Sequence, residues 1–193
     1  MTTPGSPFVA MDAALAARAG AGDAKAFRQI YERHAPSVYR FLADLLHSGS
    51  AADEATQETF VRAHARLGAI RDGDKLVAWL LGIARNVAME TLRRGKRDVA
   101  ADDIDIENHA GAAPEPGPEL QLLGREADEV LAMALSRVSD DRRAALLMYM
   151  DHGLSYAEIG ETLGWSLAKV KIEIHRARLT LRTEIQRYLG DKS

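Results

Sequence analysis

The chain has 193 residues, 47 % hydrophobic but only 6 % aromatic, so leucine and alanine must supply most of the packing, in one domain or two small ones. Zero cysteines exclude disulfides, cysteine–zinc sites and a thiol redox sensor within the chain. No apolar run approaches bilayer-spanning length, and Met1 to Ala10 lacks the basic-then-apolar order of a secretory signal, so a cytoplasmic location is expected.

Residues 1–22 are expected to form a tail with a short helical lead-in. Phe27, Ile30, Tyr31, Val38, Phe41, Leu42 and Leu45 then repeat at three and four residues, which predicts one amphipathic helix, bent at Pro36. A second helix is expected to start at Ser50, with Glu54 in its first turn, and to run to about Leu67 before Gly68. A third covers Lys75 to about Arg94, with Leu76, Leu80, Ile83 and Val87 on one stripe. Residues 98–118 are acidic, then rich in Ala, Gly and Pro, and should form an extended linker because they cannot bury enough apolar surface to offset chain entropy. Asp103, Asp105 and Glu107 alternate like the start of a calcium loop, but the glycine such a loop requires is missing. Further helices are expected over 119–137, 140–151, 156–163 and 167–188, and nowhere does period-two alternation reach strand length. The fold class is therefore all-α, with helical domains at 23–97 and 119–190.

The segment from Leu154 to Ser166 is the most specific. Ser155 and Glu158 stand three apart as a capping box, and Gly164 falls where the helix must end in a left-handed turn. A second helix follows with Lys169, Lys171, Arg176 and Arg178. A short helix, a tight turn and a basic helix form a helix-turn-helix, whose second helix enters the DNA major groove. An αα-hairpin in a helical core fits the same cap and turn, but not the basic run.

A net charge of −3 looks wrong for a nucleic-acid binder until it is resolved along the chain. From Lys75 to Arg97, six basic residues oppose Glu90 alone, a local balance of +5. From Asp98 to Glu129, ten acids oppose Arg125, giving −9, and from Trp165 to Tyr188 the balance is +4. Two basic modules flank an acidic connector, and local sign governs contact with phosphate. On a helical wheel, Gly82, Asn86, Met89 and Arg93 fall opposite the core stripe of the third helix, with Trp79 flanking as a packing residue. That face fits either phosphate and base contacts or a solvated surface with a cationic helix end.

Taken together, Asp53-Glu54-Ala55-Thr56-Gln57-Glu58-Thr59-Phe60-Val61-Arg62-Ala63, Ala78 to Asn86 and Arg93-Arg94 resemble region 2 of the extracytoplasmic-function sigma factors. Residues Leu135 to Leu181, with Leu154 to Ile159 and His175-Arg176-Ala177-Arg178, resemble their region 4. The resemblance implies a protein without enzymatic activity or cofactor that binds core RNA polymerase and directs it to promoter DNA. It implies polymerase docking by Asp53, Glu54, Gln57, Glu58, Phe60 and Arg62, with Phe60 fitting the core equally well. It implies that Arg71, Lys75, Asn86, Arg93, Arg94 and Arg97 act at the −10 element, where a base is unstacked and captured. For the −35 element it implies Ser166, Lys169, Lys171, Ile172, Arg176 and Arg178. An anti-sigma factor is a further implied partner.

One departure stands out. Where the family usually carries a threonine and then a serine-arginine pair, this chain has Lys169 and then Ile172-Glu173. Ile172 could touch a thymine methyl, whereas Glu173 could accept only from a cytosine amino group or would repel phosphate. An unusual −35 preference is expected. Leu179 also falls on the outward side and suggests a protein contact. The competing reading is a stand-alone helix-turn-helix regulator whose first domain senses or dimerises. An enzyme has little support, since the six histidines form no metal spacing and no phosphate-binding glycine loop is present.

Overall fold

The computed structural model describes residues 7–70, 73–99 and 130–191. Among those residues every regular element is a helix and none is a strand. The order is α1 (Pro7–Gly20), α2 (Ala24–Leu46), α3 (Gly49–Arg66), short 3₁₀ turns at Leu67–Ala69 and Gly73–Lys75, and α4 (Leu76–Val99). There follow α5, described over 130–136, then α6 (Asp140–Met150), α7 (Tyr156–Leu163) and α8 (Leu167–Asp191). Helix α4 continues past the expected end near Arg94 to Val99, taking in the first two residues of the expected linker. The rest of that linker, with Asp103, Asp105 and Glu107, lies outside the described residues, as does most of the helix expected at 119–137.

Asp23 starts α2 by accepting from the backbone N–H groups of Lys25 and Ala26. The helix runs without interruption through Pro36, which is exposed, so its ring meets solvent rather than a packed neighbour. His47 ends it in the left-handed conformation, with φ 54°. That turn moves the start of α3 to Ser48 rather than Ser50, and the Ser48 hydroxyl accepts from Ala51 N. The lead-in is a helix of 14 residues, tied to α2 by an Arg33–Asp12 ion pair at 2.9 Å. Gly73 lets the turn before α4 lie directly on α1, since a Cβ there would stand 2.4 Å from Ala13 Cα. The core of this first domain is built from Ile30, Phe41, Leu42, Leu45, Leu76 and Leu80, each 1 % exposed or less. Full burial of one such side chain contributes roughly 1.5–3 kcal/mol.

In the second domain α6 is buried almost all round, from Arg143 to Met148, because it lies between the first domain and the pair α7–α8. Val170, Ile174 and Ala177 form the inward stripe of α8, at 1 % exposure or less. The two domains share one continuous buried cluster. His152 packs edge-on against Phe41, with ring centroids 5.6 Å apart, and its Nδ1 lies 3.2 Å from Ser37 Oγ. Arg143, 4 % exposed, reaches His47 Nε2 and pairs with Asp140 at 2.6 Å. Thr162 of α7 closes on Gly82 of α4 so tightly that a Cβ at Gly82 would meet its methyl at 3.0 Å.

Candidate functional site

The helix-turn-helix is built as its sequence requires. Ser155 Oγ accepts from Glu158 N at 3.3 Å while the Glu158 carboxylate accepts from Ser155 N at 2.8 Å, so both halves of the capping box are present. Gly164 ends α7 at φ 66°. Gly160 permits the tight turn, because a Cβ there would stand 2.8 Å from the carbonyl oxygen of Trp165. Ser166 Oγ then accepts from Lys169 N at 3.2 Å at the start of α8. Opposite the buried stripe, Lys169, Lys171, Ile172, His175, Arg176 and Arg178 are exposed. Several cations have partners that orient them. The Lys169 ammonium lies 4.4 Å from the Trp165 ring centroid, and the Arg178 guanidinium 4.9 Å from that of Tyr149. Arg176 pairs with Glu173 at 3.1 Å.

Along α4, Asn86, Arg93 and Arg94 are exposed, whereas Met89 is 7 % exposed and turns inward. Met89 therefore belongs to the packed side of α4, not to the outward face the wheel assigned it. It helps to line a cleft of about 320 Å³ between α4 and α6, with Arg85 and Arg93 on one side and Asp140 and Asp141 on the other. Lys75 pairs with Glu161 at 2.6 Å, and Arg85 pairs with Asp141 and donates to Asn86 Oδ1 at 3.1 Å. Trp79 packs against the core as expected. Arg71 lies outside the described residues, and of Arg97 only the backbone, within α4, is described.

On α3, Ala52, Ala55, Thr56, Thr59, Phe60 and Ala63 form the buried side. Phe60 is 4 % exposed, its ring edge-to-face with Tyr31 at 4.8 Å and with Phe27 at 6.5 Å. It is a core residue, one of the two readings its sequence position allowed, and it does not belong to the exposed side of α3. Asp53, Glu54, Gln57 and Glu58 are exposed on the other side, where Val61 is 64 % exposed. Arg62 reaches both oxygens of Glu90 on α4, at 2.9 and 2.8 Å, and takes Glu58 as a third contact at 2.7 Å. The Arg62 guanidinium holds the Glu90 carboxyl below its ordinary value.

Residues 30–98 match sigma-70 region 2, and residues 128–181 match sigma-70 region 4. The RNA polymerase sigma factor CarQ of Myxococcus xanthus is 33 % identical over 167 residues, covering 86 % of this chain and 91 % of that protein. The chain belongs to the extracytoplasmic-function RNA polymerase sigma factors. The sigma factor SigM of Bacillus subtilis (strain 168) is 30 % identical over 165 residues, covering 85 % of this chain and 98 % of SigM. Among solved structures, this sigma factor is similar to RpoE of Bartonella quintana in complex with the anti-sigma factor NepR. That likeness has a TM-score of 0.68 at 25 % identity, over 84 % of this chain and 98 % of RpoE. The fold is also that of CnrH in complex with the cytosolic domain of CnrY, at a TM-score of 0.67 and 24 % identity, over 92 % of this chain and 98 % of CnrH. It acts in transcription initiation as an alternative sigma factor.

Sequence reasoning missed the residues through which the two domains of this sigma factor meet. Arg85, Asp141, Arg143, His47 and His152 come together across the domain boundary, and only their burial or pairing in three dimensions marks them. Burial pushes both His47 and His152 down to about 4, with Arg143 adding to the effect on His47 and Arg40 to that on His152. Arg142 of α6 was also missed. It donates to Glu173 of α8 beside that helix's exposed basic face.

Proposed function

We propose that this sigma factor docks on core RNA polymerase through the exposed side of α3, assists opening at the −10 element with α4, and reads the −35 element with α8. The docking face comprises Asp53, Glu54, Gln57 and Glu58, with Arg62 held at its edge by Glu58 and Glu90 and with Val61 in place of Phe60 as its apolar contact. Asn86, Arg93 and Arg94 serve the −10 region along with Lys75, which must exchange Glu161 for DNA. The functional domains run over 23–97 and 119–190, joined by residues 98–118. An anti-sigma factor is the further partner, by analogy with RpoE and NepR. The protein works in the cytoplasm, without cofactor and without catalysing a reaction. Among the described residues no helix is long and apolar enough to cross a membrane, in keeping with that location.

The observation that carries this reading is the division of α8. Val170, Ile174 and Ala177 build the core while Lys169, Lys171, Ile172, Arg176 and Arg178 face outward, directly after a capped helix and a glycine turn. The test is polymerase dependence. Purified protein should bind core polymerase and yield transcription from a cognate promoter only in its presence. Tight, specific binding of promoter duplex by the free protein would support a stand-alone regulator instead.

A further inference from the structure

An acid in the middle of a phosphate-facing helix is unfavourable unless something offsets it. Glu173 is that acid, and its carboxylate is turned onto two neighbouring arginines. Its side chain is only 15 % exposed. One carboxylate oxygen accepts from Arg142 Nε on α6, and the other from Arg176 Nη1, one turn further along α8, at 3.1 Å. Those contacts draw two guanidinium groups from two helices into one cluster, where without the carboxylate they would repel. Arg142 and Arg176 keep side-chain exposures of 36 % and 56 %. Each guanidinium has five N–H donors, and each spends only part of them on Glu173.

We infer that Glu173 is a positioning residue for −35 recognition, a carboxylate bridge that holds Arg142 and Arg176 in a fixed pair whose remaining donors meet the DNA. This rests on the assignment of α8 as the −35 reader. Bidentate reading of guanine O6 and N7 needs the guanidinium fork in the plane of the base edge, whereas a contact to phosphate carries no sequence information directly. Glu173 thus makes a base-reading contact out of what would otherwise be a backbone contact, and it brings Arg142 into the interface from a helix outside the helix-turn-helix.

The experiment uses holoenzyme formed from core polymerase and the full chain, with wild type, Glu173→Gln and Arg142→Ala. Binding is measured to a panel of −35 variants at two salt concentrations, with thermal denaturation of each free protein alongside. Glu173→Gln keeps the side-chain shape and removes the charge. It should lower discrimination at one or two −35 positions by about 5- to 150-fold, the range of one bidentate base contact. It should also steepen the log–log salt dependence by up to about 0.9 for each arginine released to a phosphate. Arg142→Ala should relax preference at the same positions. A Glu173→Gln holoenzyme with wild-type discrimination and salt slope overturns the proposal, whatever its melting temperature, because a purely structural tie between α6 and α8 would move only the latter. Relaxed preference at different positions in the two variants overturns it as well. Wild-type holoenzyme that is indifferent to the −35 sequence overturns the assignment of α8 itself, and this proposal with it.

Discussion

Phe60 and Val61 are adjacent in sequence, yet the structure buries one and exposes the other, and truncating each separates core packing from the proposed docking. Phe60→Ala removes a ring that is 4 % exposed and held edge-on by Phe27 and Tyr31. Loss of transfer energy and the cavity left behind together cost about 3–5 kcal/mol. Within that, each edge-to-face contact accounts for roughly 0.5–1.5 kcal/mol. With a urea slope of about 2 kcal/mol per molar, the unfolding midpoint should fall by about 2 M. Val61→Ala, at a site 64 % exposed, should stay within about 0.5 kcal/mol of wild type. Its defect should appear instead as weaker binding to core polymerase, followed by the anisotropy of a labelled chain. The reasoning is refuted if Phe60→Ala unfolds within about 1 kcal/mol of wild type while losing polymerase affinity, or if Val61→Ala is the destabilised variant.

Two further predictions concern the contact between the domains. Gly82→Leu places a side chain where even a Cβ would meet the Thr162 methyl at 3.0 Å, so it should wedge α4 from α7 while leaving the helix content intact; small-angle scattering should show a larger radius of gyration, and unchanged compactness would count against the packed arrangement. His47 and His152 are held neutral at the contact, down to about 4 against an ordinary 6.5. The separated domains therefore bind protons that the packed form refuses, and the contact should be at full strength above about pH 6.5 and weaken as pH falls toward 4. The groups facing His47 are Arg143 and Asp140, and those facing His152 are Ser37, Phe41 and Arg40. Energy transfer between dyes on the two domains checks the trend, and tighter packing at low pH would contradict it.

Local signals were legible and long-range ones were not. The capping box at Ser155 and the left-handed Gly164 follow from residues a few positions apart, so the helix-turn-helix is legible in the sequence alone. The inward stripe of α8 was legible too, because Val170, Ile174 and Ala177 contrast with charged neighbours. On α3 that contrast is absent. Its buried side is mostly alanine and threonine, and Thr56 and Thr59 satisfy their hydroxyls within the helix, donating to Ala52 O and Ala55 O at 2.7 Å each. Buried threonines of this kind blur a hydrophobic stripe, so the sequence alone leaves Phe60 fitting the core and a docking role equally well. The start of α3 lies earlier than the Ser50 expected from sequence, because the left-handed turn at His47 brings Ser48 to the cap.

The contacts between domains join residues 56 to 115 positions apart, and no periodicity carries such information. Their energies divide into two kinds, and the division bears on function. Lys75–Glu161 and Arg85–Asp141 are ion pairs with at least one largely exposed partner, each contributing about 0–1 kcal/mol. The phosphates of a promoter can replace those acids at little cost, since both cations lie on the module with the local excess of positive charge. The buried contacts resist exchange: Arg143 against His47, His152 against Phe41, and Thr162 against Gly82. A polyanion alone should therefore loosen the rim of the contact without parting the domains. Parting them requires a partner that competes for the buried surfaces, or binding energy from polymerase spent on both domains at once. On the proposed assignment of α4 to the −10 element, Asn86, Arg93 and Arg94 are exposed already, and Lys75 joins them only once it has left Glu161.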